Sequence, residues 1–506
     1  MSLDRFSGAA FDRLFTAAES RALDRLAIER HGVAGIVLMK RAGRAAWMTL
    51  QQRWPFADAI TVVCGRGNNA GDGYIVAGCA RSSGKKVQLI QLGSASALSG
   101  DAALARDWAV ALGVMIDEVA DEAPAFEVDG GVIVDALIGT GARGDVRPGF
   151  ARAIERINAA AKPVLALDIP SGLCADTGRV LGSVVRADVT VTFIGVKRGL
   201  VTGSGPDHTG AVVLDTLGVP DDCHRDIGGI AALQWSGQRH LIPQRAPSAY
   251  KHQSGHALIV GGDSGMGGAV AMAAEAALRV GAGLVSVVTR PEHVSAILAR
   301  RPEVMVKGAD DARPLDALVD RASVIAIGPG LGRGDWGHAL LERVLRAGKP
   351  LVVDADGLHL LAQHRVDATP PMVLTPHVAE AGALLGNNTV ADVQRDRFAA
   401  ATELAARSSN GAAILKGAGS VVAGAGRLGV CLHGNPGMAT AGMGDVLTGV
   451  VAGLLAQGLG VWDAAVAGAC LHSFAADRVA ERNGRIGLLA TDLLIELRAI
   501  LNEPAN

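Results

Sequence analysis

The chain has 506 residues, more than one ordinary domain needs, and 66 of them are Gly; with 3% aromatic and 19% charged residues it suits packed α/β layers rather than disorder. A net charge of −2 without a long basic run excludes a nucleic-acid footprint. No stretch reads as a secretory signal or a membrane span, and the six scattered cysteines form no CxxC pair, so a cytoplasmic protein with reduced thiols is expected.

In chain order, SRALDRLAIERHGVAGIVLMKRAGRAAWMTLQQRW reads as two helices broken near residues 32–35. Apolar runs follow at 59–65, 86–92, 131–137 and 163–169, with helix-like segments between them. Cys64 sits inside the first run, ITVVCG, as a buried thiol. Past a polar, glycine-bearing seam at 218–230, the runs resume at 256–262, 283–289, 323–330, 350–357, 371–377 and 412–419. Continuously apolar strands alternating with helices imply parallel sheets covered on both faces and joined by right-handed crossovers. The expectation is an α/β fold of two doubly wound, three-layer domains, at 1–222 and 223–506.

The polar features of the first half fall at carboxyl ends of predicted strands, where open α/β sheets bind ligands. In GRGNNAGDG, residues Asn68, Asn69, Ala70, Gly71 and Asp72 form a polar cradle leading into the helix YIVAGCARSS. Asp135 ends a second strand and opens the run Gly139, Thr140, Gly141, Ala142, Arg143, Gly144, Asp145. Asp168 ends a third and is followed by Ser171. Taken singly, Asn69 is also a turn residue, Asp72 a helix cap, and Asp135 and Asp168 strand-end caps. Together they place three carboxylates, an amide and a hydroxyl on one sheet edge, which scaffolding does not need. The glycines lack the GxGxxG spacing of a dinucleotide fold.

GRGNNAGDG, VDALIGTGARGD and LALDIPSG, in that order, resemble the three signatures of the NAD(P)H-hydrate epimerase family over roughly residues 10–220. The resemblance implies a Rossmann-like domain that interconverts the R and S hydrates of NADH and NADPH. It also implies that residues 68–72 and 139–145 embrace the hydrate and that Asp168 contacts it. Asp168 is the expected acid/base, because water must leave and return at the hydroxylated ring carbon. Asn69, Asp135 and Ser171 would hold a potassium ion. Ala70 stands where the family often has Gly.

In the second half, a glycine turn at 261–268 precedes a helix with Ala269 near its start, and SVIAIGPGLG supplies Gly328, Gly330 and Gly332. His377 lies just past one strand and Lys416, Gly417, Ala418, Gly419 and Ser420 past another. The run GNPGMATAGMGDVLTG, at 434–449, gives way at Asp445 to an apolar helix. Such a loop exposes backbone N–H groups, and the helix start adds partial positive charge; both suit a phosphate. Asp445 then sets a carboxylate where phosphate and a substrate hydroxyl meet. Residue by residue, Asp445 also reads as an N-cap, His377 as a capping or surface histidine, and Lys416 as a solvated turn residue.

The array is similar to the ribokinase-like superfamily and, over about 245–500, to the NAD(P)H-hydrate dehydratase family within it. The resemblance implies a ribokinase-like three-layer sheet in which Ala269, Gly330, Gly332, His377 and Asp445 contact the hydrate. Lys416 through Ser420 and Gly444 would hold the nucleotide; Ser420 stands where the family often has Thr. Asp445 would deprotonate the ring hydroxyl, the terminal phosphoryl would pass to it, and phosphate would leave far more readily than hydroxide. Mg²⁺ would assist. ADP, yielding AMP and phosphate, is expected over ATP because fused two-domain chains are a bacterial arrangement.

The resemblance therefore predicts a complete repair route, the epimerase supplying the S hydrate to a stereospecific dehydratase, in a homo-oligomer with neither nucleic-acid nor membrane partners. Two other readings are open to the same residues. One is a small-molecule kinase that releases a stable phosphorylated product. The other makes the first half a non-catalytic binding module, which epimer exchange by the isolated half would exclude.

Overall fold

All ten apolar runs form strands in the computed structural model, which describes residues 6–8, 12–120, 122, 124–142, 144–364, 370–386 and 389–504. The chain divides into two compact units, Met1–Ala231 and Ala232–Asn506.

The first unit carries an all-parallel sheet. Its order is Phe6–Gly8, Ala211–Asp215, Val189–Phe193, Val164–Leu167, Val132–Ala136, Ala59–Cys64, Lys86–Leu92 and Ile116–Val119. Alternate side chains serve opposite faces: Val62 and Val134 join one core cluster, Val63 and Ile133 the other. Helix Pro148–Ala159 covers the second face through Phe150, Ile154 and Ile157. Helices Gly35–Arg53 and Asn68–Ser82 cover the first. Strand order reverses between Ala59–Cys64 and Val132–Ala136, which opens a crevice above their carboxyl ends. Cys64 is a free, fully buried thiol, as its apolar run requires.

Helix Asn68–Ser82 starts earlier than expected. Asn68 through Asp72 form its first turn instead of a loop before it, because the turn is pinned by packing. A Cβ on Gly71 would lie 2.5 Å from Met39 Sδ and 3.0 Å from Ala102 Cα. Tertiary contact outweighs the turn propensity of Asn and Gly here.

In the second unit the order is Met305–Gly308, Leu284–Thr289, His256–Val260, Val324–Ile327, Leu351–Val353, Met372–Leu374, Ala412–Leu415, Val421–Gly424 and Arg427–Cys431. The first seven strands are parallel. The last two return antiparallel, a departure from the expected all-parallel sheet. The cause is local: Ala425 and Gly426 both have positive φ, 51° and 70°, the two-residue turn whose twist suits a hairpin. Here too strand order reverses, between His256–Val260 and Val324–Ile327. Helix Met443–Ala456 packs backbone to backbone on helix Gly267–Arg279, since a Cβ on Gly449 would fall 2.0 Å from the Ala273 carbonyl oxygen. It begins two residues before the predicted start at Asp445.

Candidate active sites

At the crevice of the first unit lies a cavity of about 680 Å³. Asn68, Asn69, Asp72, Gly139, Thr140, Gly141, Ala142, Gly144, Asp145 and Asp168 line it, together with Asp24, Arg66 and Lys197. Ala70 and Gly71 are buried beside it in helix packing, and Arg143 lies outside the described residues.

Asp168 sits just past strand Val164–Leu167 with φ +64°, an uncommon conformation for a side-chain-bearing residue that Asp tolerates better than most. Its carboxylate accepts from Lys197 Nζ, which also donates to Phe193 O (3.0 Å) and Thr192 Oγ1 (3.2 Å). Lys197 is only 1% exposed, and Asp168 is its carboxylate partner. The turn that returns it to Asp168 passes through Ile194 at φ +63°, an outlier for a β-branched residue. Burial, reinforced by Asp168 and Asp24, pushes Asp72 well above the ordinary carboxylate range. Burial also pushes Asp24 up to about 6, against the pull of Lys197. The cavity therefore holds two carboxyl groups whose burial favours the protonated form, beside an Asp168 that is paired with a lysine. Lys197 and Asp24 are absent from the sequence-level site. Lys197 was findable, standing just past the strand-like run VTVTF; Asp24 is one of several charges on an amphipathic helix.

Asp135 and Ser171 are wholly buried and joined at two points: Ser171 Oγ donates to Asp135 Oδ1 at 2.6 Å and Ser171 N to Oδ2 at 2.8 Å. Ile138 N donates to Ser171 Oγ at 2.8 Å. Asn69 abuts the neighbouring Gly139, and both polar atoms of its buried amide lack a hydrogen-bond partner. Burial pushes Asp135 up to about 6 in spite of the hydrogen bonds from Ser171 and Leu137. A desolvated carboxylate, a hydroxyl and an orphaned amide are oxygen donors that fit a weakly charged cation.

The second site gathers around a residue the sequence left out of it, Asp354. This carboxylate ends strand Leu351–Val353, is 1% exposed, and accepts from Lys416 Nζ (2.7 Å) and Thr448 Oγ1 (2.8 Å). The strand-end position in PLVVDADG was the available signal. Lys416 is thus no solvated turn residue. Gly444 presses on the pair, because a Cβ there would lie 3.2 Å from Asp354 Oδ2 and 3.3 Å from Lys416 Nζ. Asp445 is the third residue of helix Met443–Ala456, whose cap is Gly442, so it does not serve as the cap. Burial and then the charge of Asp354 push Asp445 up to about 7, against Lys416.

His377 does cap a helix, Val378–Leu384: its Nδ1 accepts from Ala379 N (3.1 Å) and Glu380 N (3.3 Å). Glu380 reaches on to Lys416 Nζ at 3.7 Å, which brings His377 beside the Lys416 cluster. On the other side, Asp263 N donates to Gly330 O at 2.6 Å, and a Cβ on Gly330 would lie 3.4 Å from that of Ala269. Gly332 N donates to Asp356 Oδ2 at 3.1 Å. Gly328 completes the link, its Cα backed against the Asp354 carbonyl. Gly417 and Ala418 face solvent, while Gly419 and Ser420 are half-buried.

Two family models match the chain: NAD(P)H-hydrate dehydratase over residues 257–498 and YjeF-related protein N-terminus over 35–199. A bifunctional NAD(P)H-hydrate repair enzyme of Coxiella burnetii is 47% identical over 494 residues, covering 97% of this chain and 99% of its own. That of Escherichia coli is 42% identical, covering 96% and 93%. A chain of the same description from Leishmania major is 39% identical, covering 92% and 89%. Among solved structures, a hypothetical protein of Streptococcus mutans superposes with TM-score 0.50 at 28% identity, covering 53% of this chain and 98% of its own.

Proposed function

This chain belongs to the family of bifunctional NAD(P)H-hydrate repair enzymes, and from that premise we propose how its two sites divide the epimerisation and the dehydration. The mostly parallel sheet of the second unit and its match to the NAD(P)H-hydrate dehydratase family support the ribokinase-like fold expected of it.

In the first unit the hydrate occupies the cavity, with residues 68–72 and 139–145 around it and Asp168 at the reacting ring. Asp168, paired with Lys197, takes a proton from the water that returns, and Asp72, whose burial favours the protonated form, supplies a proton to the hydroxyl that leaves. Asn69, Asp135 and Ser171 hold potassium, which would offset the desolvated Asp135 charge; the orphaned Asn69 amide supports this assignment.

In the second unit Ala269, Gly330, Gly332, His377 and Asp445 contact the hydrate, while Lys416–Ser420 and Gly444 hold the nucleotide. The observation that carries this reading is the Asp445 carboxyl, poised near neutrality beside the Lys416–Asp354 pair at a helix N-terminus. As base, Asp445 removes the ring hydroxyl proton; the ring oxygen attacks the terminal phosphoryl of ADP and displaces AMP, and phosphate then leaves while the adjacent ring carbon gives up a proton as the double bond re-forms. Asp354 and Glu380 offer carboxylate oxygens beside Lys416, and these hard donors would suit a Mg²⁺ brought in on the nucleotide phosphates. Such an ion would neutralise charge on the transferring group.

The fused layout, taken above as bacterial, recurs in the Leishmania relative and so does not choose between nucleotides. ADP remains the proposed co-substrate, in a cytoplasmic homo-oligomer whose assembly light scattering would test. Incubating the purified chain with both hydrate epimers and either ADP or ATP tests the whole reading. Recovery of reduced-nicotinamide absorbance with release of AMP or ADP supports it; a stable phosphorylated hydrate favours the kinase reading and ends this one.

A further inference from the structure

Arg397 has 1% of its surface exposed, yet it forms no ion pair with a carboxylate among the described residues. The neighbouring Asp396 is spent on capping helix Arg397–Ala405, where it accepts from Phe398 N and Ala399 N. The guanidinium turns instead to one loop. Its Nη2 lies 3.1 Å from the Leu415 carbonyl oxygen, 3.4 Å from that of Lys416 and 3.5 Å from that of Gly419. Nη1 lies 3.4 Å from Gln394 Oε1. A Cβ on Gly417 would come within 2.9 Å of Nη1, so the loop wraps directly over the cation.

Burial pushes Arg397 down to about 10, which leaves it charged at neutral pH. A buried cation without a counter-ion is costly, and carbonyl dipoles offset only part of that cost. The arrangement does two things to the loop. It turns three carbonyls inward, leaving Gly417 and Ala418 facing outward to solvent. It also fixes residue 416 at three points: N–H to Pro376 O, carbonyl to Arg397, and Nζ to Asp354.

We propose that Arg397 is a positioning residue for the nucleotide: its buried guanidinium shapes the 415–420 loop and sets an uncompensated positive charge behind the surface that receives a nucleoside di- or triphosphate. This rests on the reading that the loop holds the nucleotide. The guanidinium itself touches neither substrate.

The test uses the full-length chain. ADP binding is measured by calorimetry, and steady-state rates are measured with ADP and hydrate varied in turn. Arg397→Met is expected to raise the dissociation constant and KM for ADP about tenfold or more, with kcat changed far less and KM for hydrate unmoved. Arg397→Lys keeps the charge but cannot span three carbonyls, and is expected to restore part of the affinity. Wild-type ADP affinity in a folded Arg397→Met protein overturns the proposal, as does an equal rise in the KM for hydrate. Should Arg397→Met fail to fold, Arg397→Lys decides alone: a raised ADP KM supports the role and an unchanged one ends it. Photolabelling of the wild-type chain with an azido-ADP separates the two ideas. Label within 415–420 upholds the site, so a negative variant result then counts against Arg397. Label elsewhere removes the site and this proposal with it.

Discussion

Lys416 Nζ lies 2.7 Å from Asp354 Oδ1, and the other oxygen of that buried carboxylate accepts from Thr448 Oγ1 at 2.8 Å. The pair links the loop after one strand, the end of a second and the helix that carries Asp445. It also sets opposing fields on Asp445, which Asp354 pushes up and Lys416 pulls down.

Replacing Lys416 with Met strands the Asp354 charge in the interior. Loss of one partner of a buried pair is expected to destabilise the second unit by about 3–5 kcal/mol, read from its denaturant-unfolding midpoint. Asp445 then also loses its cation and its pKa rises further.

The dehydratase should follow the ionisation of Asp445. Its carboxyl rises from the ordinary 3.8 to about 7 in the folded protein, and the base is the ionised form. Activity therefore climbs with pH up to about 7 and levels above it, as a kcat/KM profile would show. The stability sign is opposite: protonation is favoured in the fold, so this group's contribution falls as pH rises from about 4 to about 7. Asp445→Asn should flatten that decline and reduce kcat about 10²–10⁴-fold. A variant retaining full rate would remove Asp445 as the base.

In the first unit, Asp168→Asn should abolish epimer exchange while leaving dehydration of S hydrate untouched, as chiral separation of the hydrates over time would show. Lys197→Met should suppress the same exchange less completely. It leaves Asp168 facing Asp24 and Asp72 without a cation, and the same chiral separation would show the slower exchange.

Potassium should raise the melting midpoint of the wild-type chain above that in a bulky organic cation. Asp135→Asn should erase the difference, because the buried carboxylate is what the ion would neutralise. A potassium response that survives this substitution places the ion elsewhere.

Much of this was legible beforehand. The strands announced themselves because each is apolar on both faces, and residues at the carboxyl ends of parallel strands share one edge of the sheet. Asp135 and Asp168 in one unit and Lys416 in the other stand at strand ends, while Asn69 and Asp445 lie in the first turns of helices that follow strand-end loops. What the residues hide is reach. Helix Asn68–Ser82 absorbed a segment that reads as a loop, because Met39 and Ala102 press against Gly71.

The amino-acid order alone determined two α/β halves, the chemistry of each loop and the family both resemble, since periodicity and motif spacing are local properties of a chain. Only the tertiary structure decided which charges neutralise which. Lys197 meets Asp168 across a turn, Asp354 meets Lys416 from another strand, and Arg397 reaches its loop from a separate helix. Pairing energies depend on burial and distance, and neither is written along the chain.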